Sequence, residues 1–234
     1  MTEAVVLAIL CAVAVAVLAM FEWHWPRRRR ARMADWAAAR GWRYAPRDQR
    51  WEGGLLPGFP FDRGGFRRAQ NVVTGAFGPY AAAAFDYSYR SNDRNDFLMA
   101  QRFGVHVLRL PAALPWVHLA PETLADRAAK LLGVQDIDFE SEEFNRVYRV
   151  QASDPRFASD LVNPRTMDLL MQCGAPDLRV HGRHIVVVTA GPLDVNLIDT
   201  ALAVLAGVCE NLPSFVWSER GVAPPPPLAK GARS

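Results

Sequence analysis

The sequence predicts an α+β fold with a mainly antiparallel sheet and packed helices, preceded by one N-terminal transmembrane helix. Segments with strand-like alternation outnumber long helical segments, and turn signals rather than helices separate most neighbouring strands. A continuous apolar stretch lies near the N-terminus. These observations divide the chain into a membrane anchor with a basic juxtamembrane patch at residues 1–32, a cytoplasmic α+β domain at 33–217 and a disordered Pro-rich tail at 218–234.

The N-terminal segment has the length and composition of a membrane span. Residues 4–21 are 18 consecutive apolar residues, which extend about 27 Å as a helix, close to the ~30 Å hydrocarbon core of a bilayer. The predicted membrane-interface residues follow directly: Trp23, Trp25, Arg27, Arg28, Arg29, Arg30 and Arg32. Because basic residues flank the cytoplasmic end of a span, the expected location is the inner (cytoplasmic) membrane, crossed once, with the body inside.

Two other interpretations of this segment are less favoured. A cleaved signal peptide needs a basic start and a shorter apolar run, but Met1–Glu3 has no basic side chain. A lipoprotein signal ending at Cys11 needs a small residue before the cysteine, where Leu10 stands. A cytoplasmic body also implies that Cys173 and Cys209 stay reduced and act as small apolar residues.

The charge of the chain is concentrated in its N-terminal segment. The net charge is +3, and residues 1–32 contain five arginines and two glutamates. The remaining residues therefore balance, with 22 basic and 22 acidic side chains. Since nucleic-acid binding needs a basic excess, the balance argues against nucleic acid as a partner of the body. The expected partners are membrane lipid, through the span, and an unknown protein.

Turn residues and apolar periodicity predict the elements of the body. A helix over residues 32–40 precedes a Gly- and Pro-rich loop at 52–65, and strands at 66–74 and 80–89 form a hairpin. Further strands are predicted at 105–110, 116–119, 137–140, 144–150, 178–180 and 185–189, the last two as a hairpin. Further helices are predicted after Pro121, Pro155 and Pro164, and over 193–211.

One compact core is expected for the body, although a break near Pro121 would make two subdomains. The apolar positions of the predicted strands and of the last helix supply its members. The predicted core residues are Phe85, Tyr87, Val107, Phe144, Val186, Val188, Leu202 and Leu205.

The sequence contains no recognisable catalytic motif. It has neither a Gly-x-Ser-x-Gly elbow nor a phosphate-binding glycine loop, and no Cys–His spacing matches a zinc site. Asp136, Asp138 and Glu140 alternate along a predicted strand and favour a solvated face over a cation site. No catalytic residue, metal or cofactor is predicted.

Four segments resemble an uncharacterised family of membrane-anchored proteins, a domain of unknown function common in high-GC Gram-positive bacteria: Trp36–Trp42, Asn71–Gly75, Ala84–Tyr87 and Phe139–Arg146. The resemblance covers most of residues 30–217, and the preference for arginine, 25 against two lysines, suits a GC-rich genome. It implies no reaction, cofactor or catalytic residue.

Two function classes follow from these features. The favoured hypothesis is a single-pass, membrane-anchored binding or interaction module facing the cytoplasm, because the chain has an anchor, a charge-balanced body and no catalytic motif. The alternative is a membrane-bound hydrolase with a non-standard site. Its candidate residues are Asp86, His106 and His118, provided that the fold brings them together in one pocket.

Overall fold

The computed structural model describes three stretches of the chain: residues 27–91, 100–121 and 137–228. Several predictions fall outside these stretches: the span at 4–21, the interface residues Trp23 and Trp25, the helix after Pro121, Asp136 and the end of the tail at 229–234. None of the helices within the described stretches is long and apolar enough to cross a membrane.

Six antiparallel strands form one sheet, which confirms an α+β fold with a mainly antiparallel sheet. The strands are β1 (Arg43–Arg47), β2 (Gly65–Phe77), β3 (Tyr80–Arg90), β4 (Ala100–Pro121), β5 (Tyr148–Ala152) and β6 (Asp177–Ala190). They pair in the order β1-β2-β3-β4, and β4 then pairs with both β5 and β6. The first half of β4 contacts β3 and its last residues contact β5, while β6 follows β4 through both parts.

Helices pack on one face of this sheet. They are α1 (27–39), α2 (Glu142–Val147), α3 (Pro155–Leu161), α4 (Pro164–Gln172), α5 (Ile198–Asn211) and α6 (Ser214–Ser218). Helices α3 and α4 begin as predicted at an Asp-Pro and an Asn-Pro pair, where the Asp154 and Asn163 side chains accept hydrogen bonds from the first-turn amides.

Two predicted strands on either side of Pro111 and Pro115 are one strand, so that prediction was wrong. Strand β4 continues through both prolines, and its register with β6 shifts between Arg109 and Val117. The prolines lie in this irregular stretch, where a missing backbone donor interrupts no regular ladder. The predicted hairpin of strands 178–180 and 185–189 is likewise a single strand, β6, which passes through Gly182 at φ +54°.

The strands predicted at 137–140 and 144–150 also differ from the structure. Residues 142–147 form helix α2, and only from Tyr148 does the chain become extended. Ser141 caps this helix by accepting a hydrogen bond from the Phe144 amide at 3.3 Å, and two glutamates occupy its first turn. Both features stabilise a helix N-terminus and override the strand-like pattern. Asp138 and Glu140 are exposed but lie on irregular backbone.

All eight predicted core residues are buried, but the two faces of the sheet divide them. The helices cover the face that includes Phe144, Leu202 and Leu205. The loop between β1 and β2 covers the opposite face, where Trp51 and Phe61 of the loop pack against strand residues. The remaining predicted core residues lie on this second face: Phe85, Tyr87, Val107, Val186 and Val188.

The first part of the predicted disordered tail is docked on the body, so the prediction does not hold up to residue 228. The Leu228 side chain is 5 % exposed, and its backbone N–H donates to the Glu210 carboxylate at 2.6 Å. It lies against Gly78 in the β2–β3 turn, where an added Cβ would be 2.3 Å from a Leu228 methyl carbon.

Replacing Leu228 by alanine is expected to lower the unfolding free energy by about 2 kcal/mol, because truncating a buried leucine leaves a cavity that the surrounding structure fills only in part. Urea unfolding of the full chain, followed by circular dichroism, measures the change. Pro226→Ala, at an exposed position in the same segment, is the control. Equal midpoints for wild type and Leu228→Ala would show that the docked segment contributes nothing to stability.

Candidate functional site

The Asp86 carboxylate is the centre of a hydrogen-bond network between the sheet and α1. Its Oδ1 accepts from Arg29 Nη2 and from the Leu193 backbone N–H, both at 2.7 Å. Its Oδ2 accepts from Asn71 Nδ2 at 2.7 Å and from Arg29 Nε at 3.2 Å. The Arg29 guanidinium also donates to the Leu193 carbonyl oxygen. Both carboxylate oxygens thus accept two hydrogen bonds each from groups of the protein itself.

A bulge in β2 aims Asn71 at this carboxylate. The register between β2 and β3 shifts between Gln70 and Val73, and Asn71 adopts φ +50°. Asparagine is one of the few residues other than glycine that visits this left-handed region readily. Its side-chain oxygen accepts from the Tyr44 hydroxyl at 3.1 Å. Tyr44, Asn71 and Asp86 therefore form a hydrogen-bonded network across the neighbouring strands β1, β2 and β3.

Helix α1 is packed on the sheet rather than extending away from the body. Met33 and Ala37 are buried in the helix-covered core, and Arg40 pairs with Asp199 of α5. Arg29, one of the predicted interface arginines, is only 20 % exposed in its ion pair with Asp86. The other predicted interface arginines within the described residues are exposed: Arg27, Arg28, Arg30 and Arg32.

The three residues proposed for a hydrolase are not joined by hydrogen bonds into one site, although the strand register places Asp86 and His106 on the neighbouring strands β3 and β4. His106 lies in the core, opposite Ala84 and Val187 in the strand register, and burial lowers its pKa to about 4, so its ring is neutral. His118 lies beyond the irregular stretch of β4 and contacts Asp177. Among the described residues, no hydrogen bond joins any two of Asp86, His106 and His118, and no group of three potential metal ligands occurs.

His118 belongs to a buried polar triad at the far end of β4. The Arg179 guanidinium donates two hydrogen bonds to the Asp177 carboxylate, at 2.8 and 2.9 Å, and His118 Nε2 lies 3.2 Å from the same group. Burial by itself raises the pKa of Asp177, but the charge of Arg179 and the contact with His118 outweigh it and hold the pKa below its ordinary value. Burial and the Arg179 charge lower the pKa of His118, which favours the neutral ring.

A second surface feature was not apparent from the sequence. A basin of about 450 Å³ opens on the loop-covered face beside the β2–β3 turn, and four arginines line it: Arg43, Arg50, Arg109 and Arg183. These residues belong to four separate segments, so no spacing in the chain indicates that they meet. The one local signal is the pair Ala81 and Ala83, whose small side chains alternate along β3 and leave space above this face of the sheet.

Comparison with known proteins identifies a similar fold. No family model and no curated protein matches the sequence. A solved structure described as the crystal structure of the mycobacterial trehalose monomycolate transport factor A, TtfA, matches with a TM-score of 0.55 and 15 % identity. The match covers 79 % of this chain and 96 % of that chain. The protein is therefore similar in fold to this transport factor.

Proposed function

We propose that the protein is a single-pass, membrane-tethered binding module on the cytoplasmic face, which assists lipid transport by engaging a partner protein rather than by catalysis. The observation that carries this proposal is the docking of α1. The helix is already formed at residue 27, the first residue that the structure describes and two positions after the proposed interfacial Trp25, and Arg29 joins it to the sheet through Asp86. A span at residues 4–21 would thus hold the body in one orientation.

A fixed orientation favours binding over turnover of diffusing substrates. Presenting one surface to a partner in the same membrane lowers the rotational freedom lost on association. The saturated Asp86 carboxylate and the separated histidines offer no general base beside a nucleophile. The similar fold of a lipid transport factor supports a role in lipid transport.

Site-specific photo-crosslinking in membranes tests this function. A photoreactive residue at Leu197, which is 52 % exposed and follows residues that line a cleft with Arg29, is expected to capture a membrane protein. The same group at Glu143, exposed on α2, is the matched control and is expected to capture none. In the same cells, a C-terminal fluorescent protein is expected to fluoresce and a C-terminal alkaline phosphatase to stay inactive.

Three results would contradict the proposal. Equal capture from both positions would mean that no specific partner faces α1. An active phosphatase fusion would reverse the orientation. Turnover of an ester or phosphoester panel by the purified full chain, following the protein through successive chromatographic steps, would favour an enzyme.

A further inference from the structure

The basic basin is built from small side chains in the middle of the sheet and arginines at its margins. In the strand register, Arg43 of β1 lies opposite Thr74, Thr74 opposite Ala83, and Ala83 opposite Val107. Strands lie about 4.8 Å apart, so the floor is roughly 14 Å wide. Thr74 and the alanines rise little above the backbone, which leaves the space that the longer side chains surround.

The opposite margin is also basic. Arg109 of β4 lies opposite Ala81 on one side and His184 of β6 on the other, and Arg183 precedes His184. The loop between β1 and β2 closes the basin with Arg50, Trp51 and Leu55. The Trp51 ring is held in place by Phe85, with 5.0 Å between the ring centroids, while Leu55 is 41 % exposed.

The positive charge of the basin is largely uncompensated. Arg50 pairs with Asp48 at 2.6 Å. Within the described stretches, no carboxylate forms an ion pair with Arg43, Arg109 or Arg183, and the lining itself contains no acidic residue. Burial, and then the neighbouring Arg109, lower the pKa of His184, so the arginines supply the charge near neutral pH. The charge of Arg43 acts at a distance on Asp48, whose pKa is lowered mainly by its hydrogen bond to Arg50. In a body with balanced charge overall, three guanidinium groups without an ion pair among the described residues give this cavity a local excess of positive charge.

The two kinds of lining define the ligand. Guanidinium groups match the oxygens of phosphate and carboxylate through paired, charge-assisted hydrogen bonds. The Trp51 ring, Leu55 and the alanine floor offer an apolar surface of the kind that binds hydrocarbon. A volume of about 450 Å³ is within the range of small-molecule sites.

We propose that this basin binds an anionic amphiphile, with a phosphate head held by Arg43, Arg109 and Arg183 and a hydrocarbon arm lying on Trp51 and Leu55. This assignment does not depend on the proposed function, since it concerns a different face from the α1 contact. Inorganic phosphate can contact only the arginines of the site and not its apolar surface. Comparing the affinities for inorganic phosphate and for an anionic amphiphile therefore distinguishes an amphiphile site from a free-phosphate site.

Calorimetric titration of the full chain in phosphatidylcholine nanodiscs tests the proposal, with heats from empty nanodiscs subtracted. The probes are hexyl phosphate, inorganic phosphate and the uncharged hexyl glucoside. Hexyl phosphate is expected to bind saturably and at least about tenfold more tightly than inorganic phosphate, because its chain adds apolar burial. Hexyl glucoside is expected to give no saturable binding.

Variants locate the binding within the basin. The double variant Arg109→Gln/Arg183→Gln is expected to lower the affinity for hexyl phosphate by at least about tenfold, because it loses charge-assisted hydrogen bonds to the phosphate. The control Arg156→Gln/Arg165→Gln makes the same change in net charge at exposed helix positions and is expected to leave affinity unchanged. Leu55→Gln, at an exposed position, is expected to reduce the difference in affinity between hexyl phosphate and inorganic phosphate.

Each departure from these results overturns the assignment. Equal affinity for hexyl phosphate and inorganic phosphate would show that the hydrocarbon chain does not contribute to binding. Equal affinity for hexyl phosphate and hexyl glucoside would show that the phosphate does not contribute. Unchanged binding in the Arg109/Arg183 variant, or equal weakening in the control, would place the ligand elsewhere. Circular dichroism of each variant checks that the fold is intact, and the Leu55 variant keeps the assignment testable if the double variant does not fold.

Discussion

Replacing Asp86 by alanine is expected to lower the unfolding free energy by about 3 kcal/mol and to release α1 from the sheet. The substitution removes four hydrogen bonds at once. It leaves the Asn71 amide and the Leu193 N–H without this acceptor, and the Arg29 guanidinium keeps only its bond to the Leu193 carbonyl oxygen. Unpaired donors in a mostly buried site cost about 1–3 kcal/mol each, and the side chains here are 16–20 % exposed, so water recovers part of that loss.

Urea unfolding of the full chain and hydrogen exchange of α1 measure this effect. Asp138→Ala, at an exposed position, is the control for losing a carboxylate. A double-mutant cycle with Arg29→Ala isolates the ion pair, since two residues in contact give non-additive changes. Additive losses, with α1 exchange unchanged in Asp86→Ala, would show that other contacts hold the helix.

Replacing Asp177 by asparagine is expected to lower the unfolding free energy by about 3–5 kcal/mol, because it leaves the charge of Arg179 buried without a counter-charge. The Arg179 side chain is 6 % exposed and that of Asp177 is 2 % exposed, so water screens neither. Asp168→Asn makes the same chemical change at an exposed position of α4 and is expected to have no effect.

The loss in Asp177→Asn is expected to depend on pH. The pKa of Asp177 is about 2 in the folded protein, below its ordinary value of 3.8, because Arg179 and His118 outweigh the effect of burial. A carboxylate with a lowered folded pKa stabilises the fold fully above its ordinary pKa and loses that contribution as pH falls through the folded value. The difference between wild type and Asp177→Asn should therefore shrink between pH 4 and pH 2. A constant difference over this range would contradict the pairing.

The core and the first hairpin could be predicted from the sequence because their signals are local. Alternation over 80–89 assigns β3 correctly, and all eight predicted core residues are buried. The continuity of β4 could not be predicted in this way. Proline normally ends a strand, and its tolerance here depends on the shifted pairing with β6, some 70 residues away in the chain.

The candidate site was less predictable than the fold. The sequence indicates Asp86 as a hydrolase candidate and places Asn71 in a segment of the family resemblance. It assigns their partner Arg29 to the membrane interface, because nothing in the local sequence indicates that α1 packs on the sheet. The basin arginines come from β1, the following loop, β4 and β6, so they meet only when the sheet is complete. Side chains that the topology brings together leave no periodic signal.

The pairing of β4 with β6 has a consequence for the rate of folding. Phe103 pairs with Ala190 and Leu119 with Leu178, so the central pair of strands joins residues separated by roughly 60 to 90 positions in the chain. Closing such long loops requires conformational entropy to be lost before the contacts compensate for it, which slows folding. During synthesis, β4 must wait for residues up to 190 to leave the ribosome. Until then the apolar residues that flank His106 on this strand stay unpaired with β6 and open to association with other chains.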